Sequence, residues 1–383
     1  MPHLYTTKPV NFPSPRWKHD REPFELIRIV TPERPYFVKI HPLRNGLLRL
    51  SLLTTPIDLI LTRHKEILLT AAQQLGVHIL QSNLGNRLKP DIGLERLLDE
   101  KQLYAFDWTI PQPKIFEIGT GNGAFLCEHA FRAPHTLHVG AEINGFTIRK
   151  ALRKAARAQL TNIFFVRSDA RYLLRYHFPP TCFDHIFIHF PDPWEKKRYL
   201  KRRLISAESI PNFARVLKPS GSLHFTTDHH DYADYTRQLF SETHLFKLAH
   251  EVENATLPFP TKYERKWRAQ GRQIVQFVFR RTEHPYPFAK NDDQLFPSSF
   301  EIATRLEFSS GDILQSDDFL CVFKDVYKGP SEDLLDTVLT LGQFRWNVLF
   351  LKTPSHLIYD DRLNQRYLSH KIKEHLTSLL SGR

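Results

Sequence analysis

The segment Glu117-Ile118-Gly119-Thr120-Gly121-Asn122-Gly123 restricts what this chain can become more than any other. It joins an apolar run to a stretch of helical spacing. Its three glycines, at alternate positions, let the backbone turn tightly and approach a ligand with no Cβ in the way, as the first strand-to-helix turn of a parallel α/β sheet requires. The flanking sequence agrees. From Lys114 to Arg281 short apolar runs alternate with helical segments, which is the pattern of βαβ units. Strands are expected at Ile115–Ile118, Thr136–Ala141, Ile163–Val166, Phe183–Phe190, Ser222–Thr227, Phe246–His250 and Gln273–Phe279.

These seven strands predict a Rossmann-like α/β core. Phe146–Leu160 is expected as a helix packed through Ile148, Leu152, Ala155 and Ala156, with Arg149, Lys150, Arg153, Lys154 and Arg157 on a basic face. Asp231–Ser241 is expected as another, opened by an acidic cap. The prolines of residues 1–80 break helices and confine strands to short pieces, so this stretch reads as a β-rich module. After residue 283 the polar, proline-containing EHPYPFAKNDDQLFPSS leads to strand-like Asp318–Tyr327 and Asn347–Lys352 and a helical tail from Asp361, a second β-rich module. The expected domains are thus 1–80, 81–283 and 284–383.

A formal charge of +12 and a pI near 9.5 favour a polyanionic partner. Cys127, Cys182 and Cys321 form no CxxC pair, which argues against a disulfide framework or zinc ribbon and fits the cytoplasm. The opening residues lack the pattern of a secretory leader, and no apolar run approaches the length of a membrane span, so the chain is expected to be soluble.

Glycines 119, 121 and 123 do not match the G-x-G-x-x-G dinucleotide fingerprint. An acid at the strand end, Glu117, suits S-adenosyl-L-methionine, whose ammonium and sulfonium groups favour a carboxylate. A generic turn or another nucleotide site remains open at this point. Glu142 ends the second strand, where such folds place an acid on ribose hydroxyls; a surface glutamate is the plainer reading. Asp169 follows the third strand and suits either an adenine amino group or a helix N-cap. Three carboxylates at successive strand ends converge on one crevice in a doubly wound sheet. After the fourth strand, Phe190-Pro191-Asp192-Pro193-Trp194 holds an acid and an aromatic on a proline-stiffened turn, able to accept from a guanine and stack on a base, or simply to pack. Six basic residues in eight follow, Lys196 to Arg203, beside that crevice, where phosphate attraction would position a nucleic acid. Thr226-Thr227-Asp228 ends the fifth strand and Thr261-Lys262-Tyr263-Glu264-Arg265 sits in the loop before the last strand, both where substrate loops belong.

Together, EIGTGNG, FPDPWEKKRYLKRR, TTD and TKYE, in this order over residues 115–281, resemble the bacterial tRNA (guanine-N7-)-methyltransferase family, TrmB. The resemblance implies methyl transfer from S-adenosyl-L-methionine to N7 of a variable-loop guanine in tRNA. It implies that Glu117, Gly119, Gly121, Gly123, Glu142 and Asp169 bind the cofactor, with Asp192 both near it and catalytic. Lys196, Asp228, Thr261, Lys262, Tyr263 and Glu264 match positions that contact the substrate. Tyr199 stands where the family commonly has His and Tyr263 where Phe is usual, which bears on tRNA contacts rather than on reaction type. Three rivals remain. Amino-methylation of adenine or cytosine draws on Asp192-Pro193-Trp194, which lacks the second proline of D/N-P-P-aromatic. A non-catalytic RNA-binding protein with a degenerate core predicts RNA binding without cofactor binding. A metal hydrolase would use Asp184, His185, His189 and Asp228-His229-His230-Asp231, but no HExxH-like spacing is present, so no metal is expected.

Overall fold

Apolar runs with both faces covered become parallel strands in the middle of the chain. The computed structural model describes residues 3–7, 16–31, 35–53, 61–83, 92–259, 261–284, 295–296, 299–341, 344–360, 364 and 368–381. They fall into two units, Ile92–Asn291 and a second made of Met1–Asp91 with Asp292–Arg383.

In Ile92–Asn291 the strands are β1 (Lys114–Ile118), β2 (Leu137–Ala141), β3 (Ile163–Val166), β4 (Phe183–His189), β5 (Leu217–Thr227), β6 (Phe246–Glu253) and β7 (Val275–Arg281). They lie in the order β6-β7-β5-β4-β1-β2-β3, and a short strand, Leu97–Leu98, adds an eighth beside β3. β1 to β5 run parallel, while β7 is antiparallel to both β5 and β6. The register aligns their carboxyl ends: Ile118 faces Ala141, Ala141 faces Val166, and Ile188 faces both Ile118 and Phe225. Strand order reverses between β1 and β4, the place where a doubly wound sheet opens a ligand crevice.

Every residue of β1 and β2 is buried. Below the crevice Phe116, Phe178 and Phe183 pack with centroids 4.8–5.2 Å apart. Losing one such ring costs about 3–5 kcal/mol, so the tip of β1 stands on a stiff base. The helices α1 (Ala124–Arg132), α2 (Gly145–Arg157), α3 (His230–Ser241) and α4 (Lys262–Ala269) follow β1, β2, β5 and β6. Asn144 caps α2 by accepting from the Phe146 and Thr147 amides. His229, rather than an aspartate, caps α3. Arg149, expected on the basic face of α2, is instead buried.

In the other unit, N- and C-terminal segments share one twelve-stranded sheet. Phe319–Lys328 pairs with Arg16–His19 through Tyr327 opposite His19 and Lys328 opposite Lys18. Trp17, Leu26 and Phe37 share a buried cluster with Tyr327, Leu334 and Leu349. The Trp17 indole N–H donates to the Glu332 carbonyl at 2.9 Å. A side chain on Gly329 would collide with that indole. Helix Leu61–Gln74 lays Ile67, Leu68, Ala71 and Ala72 against the N-terminal strands.

The three-part division is therefore corrected. The two β-rich modules are halves of one unit, and the central unit starts at Ile92 rather than residue 81. Gly93, at φ +83°, packs against the Leu152 carbonyl of α2, and Arg96 Nε donates to the Leu160 carbonyl, which ties residues 92–98 to the central sheet. Antiparallel pairing between residues some 300 positions apart leaves no local mark in a sequence. Asp333–Leu341, a strand that the sequence reading passed over, joins Phe319–Lys328 to Phe344–Lys352. The C-terminal helix begins at His370, and residues 361–363 of the expected tail lie outside the described residues. Among the described residues no helix is long and apolar enough to cross a membrane.

Candidate active site

The turn after β1 is left-handed at all three glycines, with φ of +71° at Gly119, +57° at Gly121 and +68° at Gly123. A Cβ at Gly123 would lie 2.9 Å from the Ala151 methyl, so this glycine lets α1 start against α2. At Gly119 a Cβ would meet nothing within 4 Å, which leaves open space above the turn. Gly140 of β2 lacks the side chain that would strike Leu126, Phe165 and Thr120, and so lets the turn settle on the sheet.

Two carboxylates hold this turn. Glu117 is buried and accepts from Thr120 Oγ1 at 2.6 Å. Burial pushes its carboxyl up to about 8, although the Thr120 hydroxyl and the Leu126 amide pull the other way. Glu142, at the end of β2, accepts from the Gly121 amide at 3.0 Å and the Asn144 amide at 2.7 Å. Asp169 caps the short helix Ala170–Tyr172, accepting from the Arg171 amide at 2.9 Å and its guanidinium at 2.6 Å. Ionised carboxylates have about four acceptor positions, so a donor from a ligand can still be shared.

At the tip of β4, Phe190 and Trp194 are left-handed at φ +53° and +47°. Non-glycine residues pay about 1–3 kcal/mol each for such backbone, and they persist only where neighbours impose it. Several neighbours do. The Phe190 amide donates to the Thr226 carbonyl at 2.8 Å. Arg203 Nε donates to the Pro193 carbonyl at 2.8 Å. Glu195 pairs with His229 at 3.3 Å. Between these ties Asp192 is exposed, with no hydrogen bond among the described residues. Trp194 and Tyr199 meet edge to face at 5.9 Å. Arg202 lies 5.1 Å from Trp194 and 4.6 Å from Tyr199, and Arg198 is 4.7 Å from Tyr199.

The basic run is thus divided. Lys196, Arg198 and Arg202 are exposed, whereas Arg203 is buried. The side chains of Lys197 and Lys201 lie outside the described set.

On the other side of β5, Asp228 pairs with Arg272 at 2.6 Å, and that guanidinium lies 4.0 Å from the Trp267 ring. Thr261 caps α4 by accepting from the Glu264 amide at 3.0 Å. Glu264 is buried; one oxygen accepts from the Leu257 amide at 3.2 Å and Arg268 Nε at 3.0 Å. Its Oε2 has no partner among the described residues. Tyr263 is exposed and faces Trp267, while the side chain of Lys262 is outside the described set. Among the described residues no group of three or more His, Cys, Asp or Glu converges as a metal site.

Thr120, Arg171, Arg203 and Arg272, which brace the acids, were not singled out as braces by sequence reasoning. Thr120 and Arg171 lie within three residues of their acids, whereas Arg203 and Arg272 are more distant in sequence, and partner choice depends on side-chain direction. The sequence pointed to His185 and His189 as possible metal ligands but not to the row of histidines they join. His129 Nδ1 and His138 Nε2 are 2.9 Å apart, and Ser222 Oγ links His185 at 2.7 Å to His224 at 2.8 Å. Burial pushes His138 and His224 down to about 4 and His189 to about 3.

A family model described as "Putative methyltransferase" matches residues 111–277. The tRNA (guanine-N(7)-)-methyltransferase of Thermotoga maritima is 36% identical over 170 residues, covering 44% of this chain and 54% of that protein. The protein of that name from Caulobacter vibrioides is 39% identical over 165 residues, covering 41% of this chain and 72% of that protein. The one from Alkalilimnicola ehrlichii is 30% identical over 233 residues, with 58% and 92% covered. The chain spans little more than half the length of the Thermotoga protein.

Proposed function

The chain belongs to the tRNA (guanine-N(7)-)-methyltransferase family, and we propose that it transfers a methyl group from S-adenosyl-L-methionine to N7 of a variable-loop guanine in tRNA. One observation carries this reading: an exposed carboxylate, Asp192, stands on a strained, braced turn at the tip of β4, next to the glycine turn at the tip of β1.

The residues present fit the cofactor. Glu117, buried and with its carboxyl raised to about 8, suits an ammonium; Glu142, against the glycine turn, suits ribose hydroxyls; and Asp169 suits the adenine amino group. The open space over Gly119 admits close approach. When bound, S-adenosyl-L-methionine supplies an electrophilic methyl group.

Guanine N7 carries an in-plane lone pair and no proton, so the protein needs no general base. Its contribution is position and charge. In the proposal Asp192 accepts from the guanine N1–H and exocyclic amine, which selects guanine, and its negative charge offsets the positive charge that the ring acquires. Trp194 and Tyr199, with Arg202 and Arg198 against their rings, offer stacking surface and positive charge to a looped-out strand. The unpartnered oxygen of Glu264, with Lys196, Asp228, the α4 cap Thr261 and the first-turn residues Lys262 and Tyr263, where a helix replaces the expected loop, completes the substrate side. A tRNA substrate and the three free, buried cysteines support a cytoplasmic reaction.

The test is incubation of the full chain with labelled methyl donor and unmodified tRNA, followed by nucleoside mapping. Label in 7-methylguanosine of the variable loop is expected. Label on an exocyclic amine would replace this reading with amino-methylation. RNA binding without cofactor binding would replace it with a non-catalytic one.

A further inference from the structure

We propose that Arg203 is a positioning residue for methyl transfer, its guanidinium fixing the Pro191–Trp194 turn to α3 and so setting where Asp192 stands. The proposal rests on the function proposed above. By sequence Arg203 is the last member of a basic run and looks like a phosphate contact. Its surroundings assign it elsewhere. It is only 6% exposed, whereas Arg198 and Arg202 face solvent. Its Nε donates to the Pro193 carbonyl at 2.8 Å, one residue past Asp192. Its guanidinium carbon lies 4.6 Å from the ring of Tyr232 and 4.9 Å from that of Tyr235, both on α3.

The receiving end is itself fixed. Tyr232 is fully buried, and its hydroxyl accepts from the Ile205 amide at 3.0 Å, closing a loop from residue 203 through 205 back to α3. A polyanion approaching from solvent does not reach a guanidinium covered by two rings. The turn needs such a clamp, because Phe190 and Trp194 hold left-handed backbone on either side of Asp192. An arginine suits this place: its planar fork donates in its plane while its faces lie on aromatic rings, a combination that a lysine ammonium, a point charge, matches only in part.

The test compares Arg203→Ala, Arg203→Lys and Arg202→Ala in the full chain, with kcat, KM for tRNA and the salt dependence of tRNA binding measured for each. Arg203→Ala is expected to lower kcat by at least about tenfold, as misplacement of a reacting group does, with KM and salt slope unchanged. Added guanidinium is expected to restore part of that kcat. Arg203→Lys is expected to fall between, and Arg202→Ala to raise KM and flatten the slope. If Arg203→Ala does not fold, Arg203→Lys decides: a lowered kcat at unchanged KM supports the clamp, and a wild-type kcat overturns it. A wild-type kcat in Arg203→Ala, or a flattened salt slope, also overturns it. Absence of N7 methylation by the unsubstituted chain refutes the functional reading instead, whereas normal methylation indifferent to Arg203 refutes the clamp alone.

Discussion

Glu117→Gln should separate the cost of a buried carboxyl from its use. In the unfolded chain this group titrates near 4.5, and in the fold burial raises it to about 8. Between these values the fold holds a proton that the unfolded chain has released, so stability falls as pH rises, by about 1.4 kcal/mol per pH unit for this group alone. At pH 7 the accumulated loss is about 3 kcal/mol, and it levels off above pH 8. Glutamine keeps the shape, can still accept from Thr120 and does not titrate. The stability of Glu117→Gln relative to wild type is therefore expected to be flat below pH 4.5, to climb through neutrality and to be constant again above pH 8. Urea unfolding followed by amide exchange in β1 and β2 reads this unit directly. Cofactor affinity should fall in the same variant, because a neutral amide offers no charge to an ammonium. Calorimetry of the wild type at pH 7 should show proton release on cofactor binding, and the variant should not. A stability difference that stays level from pH 5 to 9 would show that Glu117 is ionised throughout, and the reasoning from burial would fail.

Asp192→Ala should reduce methyl transfer by on the order of a hundredfold or more while calorimetric cofactor binding persists; near-normal turnover would remove Asp192 from the chemistry. Arg198→Ala with Arg202→Ala should weaken tRNA binding and lower its logarithmic salt slope by up to about two, one for each phosphate that is no longer neutralised; an unchanged slope would take both out of the RNA footprint. The histidine row should make the central unit acid-labile. Burial holds His138 and His224 near 4 and His189 near 3, below the 6.5 of an unfolded histidine, so unfolding takes up protons below pH 6.5 and stability is lost as pH falls toward 4. Replacing His224 with Gln should shallow that acid limb, and an unaltered limb would show that His224 does not contribute.

The sheet and its acids were legible because parallel strands buried on both faces are written as unbroken apolar runs. The first one to three residues past each run emerge at the carboxyl end of the sheet, so Glu142, Asp169 and Asp192 could be put at strand ends before any side chain was seen. The three glycines were legible because left-handed backbone leaves few other choices. Direction was harder. Lys196 to Arg203 reads as one charged stripe, and nothing local says that its last member turns inward onto Tyr232 and Tyr235. His185 and His189 stand four residues apart on β4 with His224 on β5, and polar residues at such spacing suggest a solvated face; here burial pushes all three down from the usual histidine range. Spacing alone puts Arg149 on the wet side of α2, yet it is buried. The pairing of Lys18 with Lys328 was invisible, because strand partners are chosen in space rather than along the chain.

That pairing has a consequence for biosynthesis. The second unit is interrupted, and Arg16–His19 emerges from the ribosome long before Phe319–Lys328 exists. At roughly 5–20 residues per second, about 300 residues take about 15–60 s to add. The uninterrupted central unit is complete within that interval and is free to acquire its structure while Arg16–His19 still lacks its C-terminal neighbour. During the delay the nascent strand Arg16–His19 lacks the neighbour that covers one of its edges, so chaperone dependence should be concentrated there rather than in the central unit.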